Sequence, residues 1–296
     1  MPVTTAIPQT VWGWLIIIYL FIAGVGAGAY LTAWWAGIRG LSERVSRIGR
    51  YIAPVLVIVG TGMLFFDLGA GFSDPVRIFG LYTHPSSMMT LGTWILTIFA
   101  VLSIIDGYGP LVKIRRFPVL SAITAVFALF LAIYTGLLLG VNGSVPLWNN
   151  ALLPVLFVVS ALSTGMAATL LCAVIVSRKG EDAEKFGRLH IAVIVIEAAV
   201  AALFLFFAAK SQAPAANWSF DAIISGQLAG AFWIGFVVIG LVVPLVYNLI
   251  ALSKSLSGVM HSPALVAIEC LCVLAGGLML RYIIVTGGAI DHFFVS

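Results

Sequence analysis

Long apolar runs alternate with short polar segments along the whole chain. Eight runs are long enough to be read as helices of about 20 residues, the length that crosses a bilayer. They cover residues 12–38, 51–72, 87–106, 117–140, 152–176, 188–209, 227–252 and 263–286. The segments between them are short and leave no room for a separate soluble domain. The pattern predicts an all-α integral membrane protein with eight transmembrane helices.

Composition agrees. The 296 residues are 62% hydrophobic and 9% charged, against about 25% charged in a typical soluble domain. The net charge of +4 is not a nucleic-acid footprint, because the basic residues sit in the short connections. There they act as topology signals. Arg39, Arg44, Arg47 and Arg50 follow or flank the first connection. Lys113, Arg115 and Arg116 lie after the third run, Arg178, Lys179, Lys185 and Arg188 after the fifth, and Lys254 after the seventh. That puts twelve basic residues on one side and two, Arg77 and Lys210, on the other, with Arg281 inside a run. The excess predicts four cytoplasmic connections, both termini outside, and a multi-pass protein of the inner (cytoplasmic) membrane. The first run is too long for a signal-peptide core and has no basic flank before it, so it reads as a retained helix. Cys172, Cys270 and Cys272 all fall in apolar runs and give neither a disulfide framework nor metal-ligand spacing.

A weak internal repeat divides the chain. Arg47-Ile-Gly-Arg50 opens the second run and Lys185-Phe-Gly-Arg188 the sixth. Four helices per half is an even number, so both halves run the same way. The expectation is two four-helix bundles in parallel repeat, residues 1–145 and 146–296. Gly24, Gly26 and Gly28 in the first run and Ser160, Ser163 and Gly165 in the fifth permit close helix approach. Packing is the favoured reading of these small residues; room for a ligand ring is the alternative.

Ionisable groups inside membrane helices are costly and are functional candidates by default. The stretch from residue 64 to 85, LFFDLGAGFSDPVRIFGLYTHP, carries Asp67 in apolar sequence and His84 at the mouth of the third run. At about 1.5 Å per residue, Asp67, Tyr134, Tyr19 and His84 all reach one layer near the outer surface. A quinone headgroup has two carbonyl oxygens that need donors and, on reduction, protons. Tyrosine and histidine can donate, and a carboxyl group can relay protons to water. Asp67 and His84 are therefore the candidate catalytic groups, and Tyr19, Gly24, Asp67, His84 and Tyr134 the candidate quinone-binding set. Each has a plainer reading: interface tyrosines, a helix cap at His84, or an interhelical bond at Asp67. A second set, Asp106, Glu197, Glu269 and Arg281, reads as structural ion pairs or as a proton path, with the structural role preferred. Of the four histidines, His84, His261 and His292 fall outside the runs, and His190 stands at an inner edge without a partner. No paired histidines suggest haem, and no cysteine cluster suggests an iron–sulfur centre in this chain.

Several stretches, in order, resemble the polysulfide reductase membrane-subunit family, also called NrfD-like. They are WGWLIIIYLFIAGVGAGAYL, LFFDLGAG, HPSSMMTLGTWIL, YTGLLLG, LWNNALLPVLFVVSALSTGMA and LRYIIVTGG. The resemblance spans essentially the whole chain. It implies eight helices in two bundles and a site for menaquinone or ubiquinone in the first bundle at the outer face. It also implies an extracytoplasmic partner with four iron–sulfur clusters and a catalytic subunit carrying molybdopterin with molybdenum or tungsten. Tyr134 of YTG matches a quinone-contacting tyrosine, and Asp67 and His84 match polar positions around the site. Tyr19 stands where a polar contact is expected, whereas Ile16 is apolar where some members are polar. The expected function is exchange of electrons and protons between quinone and the iron–sulfur partner. The alternatives are a small-solute or ion transporter using Glu197, Glu269 and Arg281, and a structural anchor only.

Overall fold

The computed structural model describes residues 13–67, 82–83, 87–112, 117–141, 145–178, 181–255 and 262–289. The described residues form helices and connections. In chain order these are α1 (Trp14–Arg39), α2 (Glu43–Asp67), α3 (Met88–Tyr108, continued by a 3-10 turn at Gly109–Val112), α4 (Pro118–Gly140), α5 (Leu152–Ser177), α6 (Glu181–Ala209) and α7 (Pro214–Ile224). The eighth helix, α8, is wound as a π-helix over Ala231–Val242 and as an α-helix over Val243–Ser255; α9 is Pro263–Ala289. Among the described residues, eight helices are long and apolar enough to cross a membrane. The outward faces carry side chains such as Ile58, Phe206, Ile234 and Leu271, each about half exposed or more. This is the surface of a protein whose solvent is hydrocarbon.

The centre is made by α1 and α5, the most buried of the eight. Their small residues allow backbone-to-backbone contact. A Cβ built on Gly28 would lie 1.8 Å from the Ala161 carbonyl oxygen, and one on Gly165 would lie 2.1 Å from the Gly28 carbonyl carbon. The packing reading of GVGAG and SALSTG therefore holds at these two positions. Around this pair, α1 also meets α2, α4 and α9, while α5 meets α4, α6 and α9. Further contacts join α2 to α3, α3 to α4, α6 to α8 and α8 to α9.

Three features depart from the apolar pattern. First, α2 and α6 begin at Glu43 and Glu181, well before the apolar runs at 51 and 188. Their first turns are polar because they leave the hydrocarbon while remaining helical. Second, the connection between the sixth and seventh runs contains α7, which starts with a proline in its first turn, where a missing N–H costs nothing. Ser219 of this helix donates to the Gly287 carbonyl at 2.9 Å and ties it to α9. Third, α8 is widened into π geometry up to Val242, just before Pro244, whose nitrogen has no hydrogen to donate. In this stretch a Cβ on Gly240 would lie 2.5 Å from Gly276 Cα, so α8 and α9 also touch by backbone.

The turns place the basic connections at one face. The first ends in Gly40 at φ 62°, its amide bonded back to the end of α1. Ser42 then donates to Asp182 at 2.7 Å, and Arg44 pairs with the same carboxylate at 2.9 Å. The α1–α2 and α5–α6 connections are thereby stitched together. Arg50 near the start of α2 pairs with Asp106 near the end of α3 at 3.2 Å. At the opposite face, Trp148 donates to the Ile284 carbonyl of α9 at 2.8 Å.

Candidate functional site

The site is assembled around two tyrosines. Tyr19 lies about a turn and a half into α1, and Tyr134 lies about two turns before the end of α4. Both are buried, Tyr19 completely and Tyr134 at 4% exposure, and both belong to one hydrophobic cluster. They lie towards the end of the molecule opposite the basic connections. The Tyr19 hydroxyl is buried without a hydrogen-bond partner among the described residues. That is an expensive arrangement unless something else supplies one.

The Tyr134 ring stands where a side chain at Gly92 of α3 would be. A Cβ built there would fall 1.7 Å from Cζ and 2.0 Å from the hydroxyl oxygen. A Cβ built on Gly60 of α2 would lie 3.7 Å from Tyr19 Cδ2, so Gly60 faces the Tyr19 ring with room for a methyl group. Thus α1, α2, α3 and α4 each contribute to the setting of the pair. Neither glycine was singled out by the sequence. Tyr82 is a further addition: its hydroxyl shares a hydrogen bond with Thr97 of α3 at 2.9 Å, and its ring meets Trp94 edge-on at 5.2 Å. These contacts anchor Tyr82 on α3. His84 itself and the Asp67 side chain lie outside the described residues; the backbone of α2 ends at Asp67.

Gly24, the remaining member of the expected set, backs onto a different group. Its built Cβ would lie 3.2 Å from Arg281 Nη2. Arg281 is fully buried, donates through Nη1 to Ser160 and to the Gly277 carbonyl, the latter at 3.0 Å, and sits 5.2 Å over the Phe157 ring. Its Nε and Nη2 have no partner among the described residues. Glu197 of α6 is buried beside this group and interacts with both Ser160 and Arg281. This polar centre joins α1, α5, α6 and α9 at mid-height.

Asp106, Glu197, Glu269 and Arg281, grouped together by the sequence, therefore fall into three clusters. Asp106 accepts from Tyr30 at 2.6 Å and Ser121 at 2.5 Å and pairs with Arg50, holding α1 to α4 together near the basic face. Glu269 accepts from Asn248 at 2.9 Å and lies 3.2 Å from His190 Nδ1. At His190 and Glu269 α6 and α9 meet, a tertiary contact that spacing along one helix cannot show. Glu197 with Arg281 makes the third cluster. Among the described residues, no group of three or more His, Cys, Asp or Glu is placed to hold a metal ion.

The stretches that carried the resemblance are one another's packing partners. Gly136 of YTG meets Pro154 of LWNNALLP, where a Cβ would lie 2.5 Å from the proline Cα. Trp148 of the same stretch occupies the space beside Gly288, the last residue of LRYIIVTGG. Ser160 of SALSTG holds Arg281 of LRY.

Comparison with known proteins is consistent over the full length. The model of the family described as "Polysulphide reductase, NrfD" matches residues 2–291. The sequence is 33% identical to the C subunit of polysulfide reductase from Wolinella succinogenes, covering 94% of each protein. It is 29% identical to protein NrfD of Escherichia coli, over 94% of this protein and 95% of that one. It is 27% identical to a protein NrfD homolog of Haemophilus influenzae, over 84% and 86%.

Proposed function

Because the chain belongs to the NrfD polysulphide reductase family, we propose that it is the membrane subunit through which an oxidoreductase complex exchanges electrons and protons with a membrane quinone. The observation that carries this reading is the Tyr19–Tyr134 pair. It offers a buried, unpartnered phenol and a second buried phenol in the same core cluster. A quinone carbonyl supplies the acceptor that the Tyr19 hydroxyl lacks. Tyr134 holds one carbonyl oxygen, Tyr19 or His84 meets the other, and Asp67 passes protons to the outer water. Quinol oxidation sends two electrons to an iron–sulfur partner and releases two protons; quinone reduction is the reverse. The Wolinella relative is named as one lettered subunit of polysulfide reductase, which supports a multi-subunit setting. The partners are an extracytoplasmic subunit with four iron–sulfur clusters and a molybdopterin catalytic subunit. The transporter alternative draws less support, since Glu269 and Arg281 are held in separate clusters.

The test is quinol-dependent reduction of the partner in the assembled complex. Tyr134→Phe removes one neutral hydrogen bond, about 0.5–1.5 kcal/mol, and is expected to weaken quinol binding several-fold. Asp67→Asn is expected to slow turnover more than it changes binding, since a proton relay serves the reaction rather than the ground state. Wild-type rates in both variants across a range of quinol concentrations would place the site elsewhere.

A further inference from the structure

A cavity of about 580 Å³ opens at the basic face, between the end of α1 and the starts of α2 and α4. This volume is within the range of small-molecule sites, and the cavity lies far from the tyrosine pair. Its polar floor is Arg50, Ser46 and Ser121. Arg50 is more than nine-tenths buried and makes its contacts, to Ser121 and Asp106, through Nη1 alone. Nε is without a partner among the described residues, and Nη2 is directed towards Gly37. The Ser46 hydroxyl has no hydrogen bond among the described residues. Gly37 keeps the floor open, because a Cβ there would lie 2.9 Å from Ser46 Oγ and 3.3 Å from Arg50 Nη2. Pro118 brings the start of α4 to the same wall; its nitrogen has no hydrogen to donate and the Ser121 amide is bonded to the Phe117 carbonyl at 3.1 Å, so the polar groups here are side chains. Trp34 and Ile38 make an apolar side, and Ile38 is 61% exposed.

A buried guanidinium with a free donor and an unpartnered hydroxyl beside it form an anion site. Its position in the span adds an apolar flank for an acyl tail. We propose that this cavity holds the phosphate of a phospholipid headgroup from the leaflet at the basic face. Arg50 Nη2 and Ser46 Oγ hold the phosphate oxygens, and an acyl tail runs down past Trp34 and Ile38. Basic pockets between helices on this side of a membrane are suited to lipid headgroups. Glu43 also lines the cavity, but its carboxylate is paired with Arg47 at 2.6 Å, so its charge is offset.

The experiment is native mass spectrometry of the detergent-solubilised protein with its copurifying subunits, titrated with phosphatidylglycerol and separately with inorganic phosphate. Gly37→Leu fills the cavity without removing a charge. The pair Arg50→Gln with Asp106→Asn removes the guanidinium while leaving no carboxylate unpaired. Arg178→Gln, a basic residue at the same face outside the cavity, is the control. Intact mass and helical circular dichroism report folding for each. Wild type is expected to retain one lipid more tightly than the rest. Both cavity changes are expected to weaken that retention by about tenfold or more, the scale of a lost charge-assisted hydrogen bond, and the control to leave it unchanged. If one cavity variant misfolds, the other decides alone. Equal retention in wild type and folded cavity variants would overturn the site, as would an equal loss in the control. Binding of inorganic phosphate to lipid-stripped protein, with no preferential retention of phosphatidylglycerol, would assign the cavity to free phosphate. A quinone in place of the lipid would also overturn the proposal.

Discussion

The hydrogen atom that stands for a side chain at position 92 decides where Tyr134 can be. With a Cβ only 1.7 Å from Cζ, Gly92→Ala forces the ring out of its place, and overpacking of this kind costs about 1–3 kcal/mol. In the assembled complex, Gly92→Ala is expected to lower quinol-dependent turnover more than Tyr134→Phe does, because it moves the ring rather than trimming one oxygen. The measurement is kcat and KM for quinol in both variants, beside thermal stability. A Gly92→Ala enzyme with wild-type kinetics would show that the position of the Tyr134 ring is irrelevant to turnover. The sequence made Tyr134 legible through its depth and the YTG stretch, but Gly92 was hidden. A glycine inside an apolar helix is disfavoured by about 1 kcal/mol relative to alanine, yet that says nothing of which neighbour needs the space. The same limit hid the pairing of His190 with Glu269, which lies 79 positions away in sequence but 3.2 Å away in space.

Helices α1 and α5 show what the small residues of a membrane helix accomplish. Apolar side chains gain little from leaving lipid for protein, so close packing of backbones must supply much of the association. Gly28 and Gly165 provide it, with no room for a methyl group on either. Gly165→Val is therefore expected to lower the thermal midpoint of the solubilised protein markedly, by an overpacking cost of about 1–3 kcal/mol or more. Gly62 of α2 is the contrast, since nothing lies within 4 Å of a Cβ built there. Gly62→Ala is expected to leave the midpoint unchanged or raise it slightly through helix propensity. Equal midpoints for the two variants would remove the close-packing account of the central pair. At this scale most of the architecture was legible: eight apolar runs correspond to eight membrane-capable helices. What was not legible follows from using apolar length as the signal. Helical turns that leave the hydrocarbon, such as those before residues 51 and 188, are polar, and α7 is too short to register as a span. The π-helical widening of α8 is a matter of hydrogen-bond pairing, and Pro244 is its one sequence hint.

For the molecule as a whole, the decisive quantity is the distribution of charge between its two faces. The contacts of Asp182 with Ser42 and Arg44, and of Asp106 with Arg50, gather the ends of α1, α3 and α5, which the connections follow, at one face. These connections carry most of the basic residues. On the positive-inside rule we propose that this face is the cytoplasmic one, which would turn the tyrosine pair outward and the Arg50 cavity inward. The assignment is tested by a membrane-impermeant maleimide acting on intact cells and on inverted vesicles, with Cys172, Cys270 and Cys272 replaced by alanine. Lys185→Cys and Ser225→Cys place the probes on exposed positions, one at the start of α6 and one just after α7. Ser219 would be a poor choice, because its side chain is buried against Gly287. The position 185 probe is expected to react only in inverted vesicles, and the position 225 probe only in intact cells. Reversal of both would turn the molecule over. The proton route through Asp67 would then open to the cytoplasm and the electron partner would have to dock there, so the proposed function would fail in its present form. The lipid-binding measurement would be unaffected, because it reads the cavity and not the leaflet. The two experiments therefore separate the chemistry of each site from the side of the membrane on which it works.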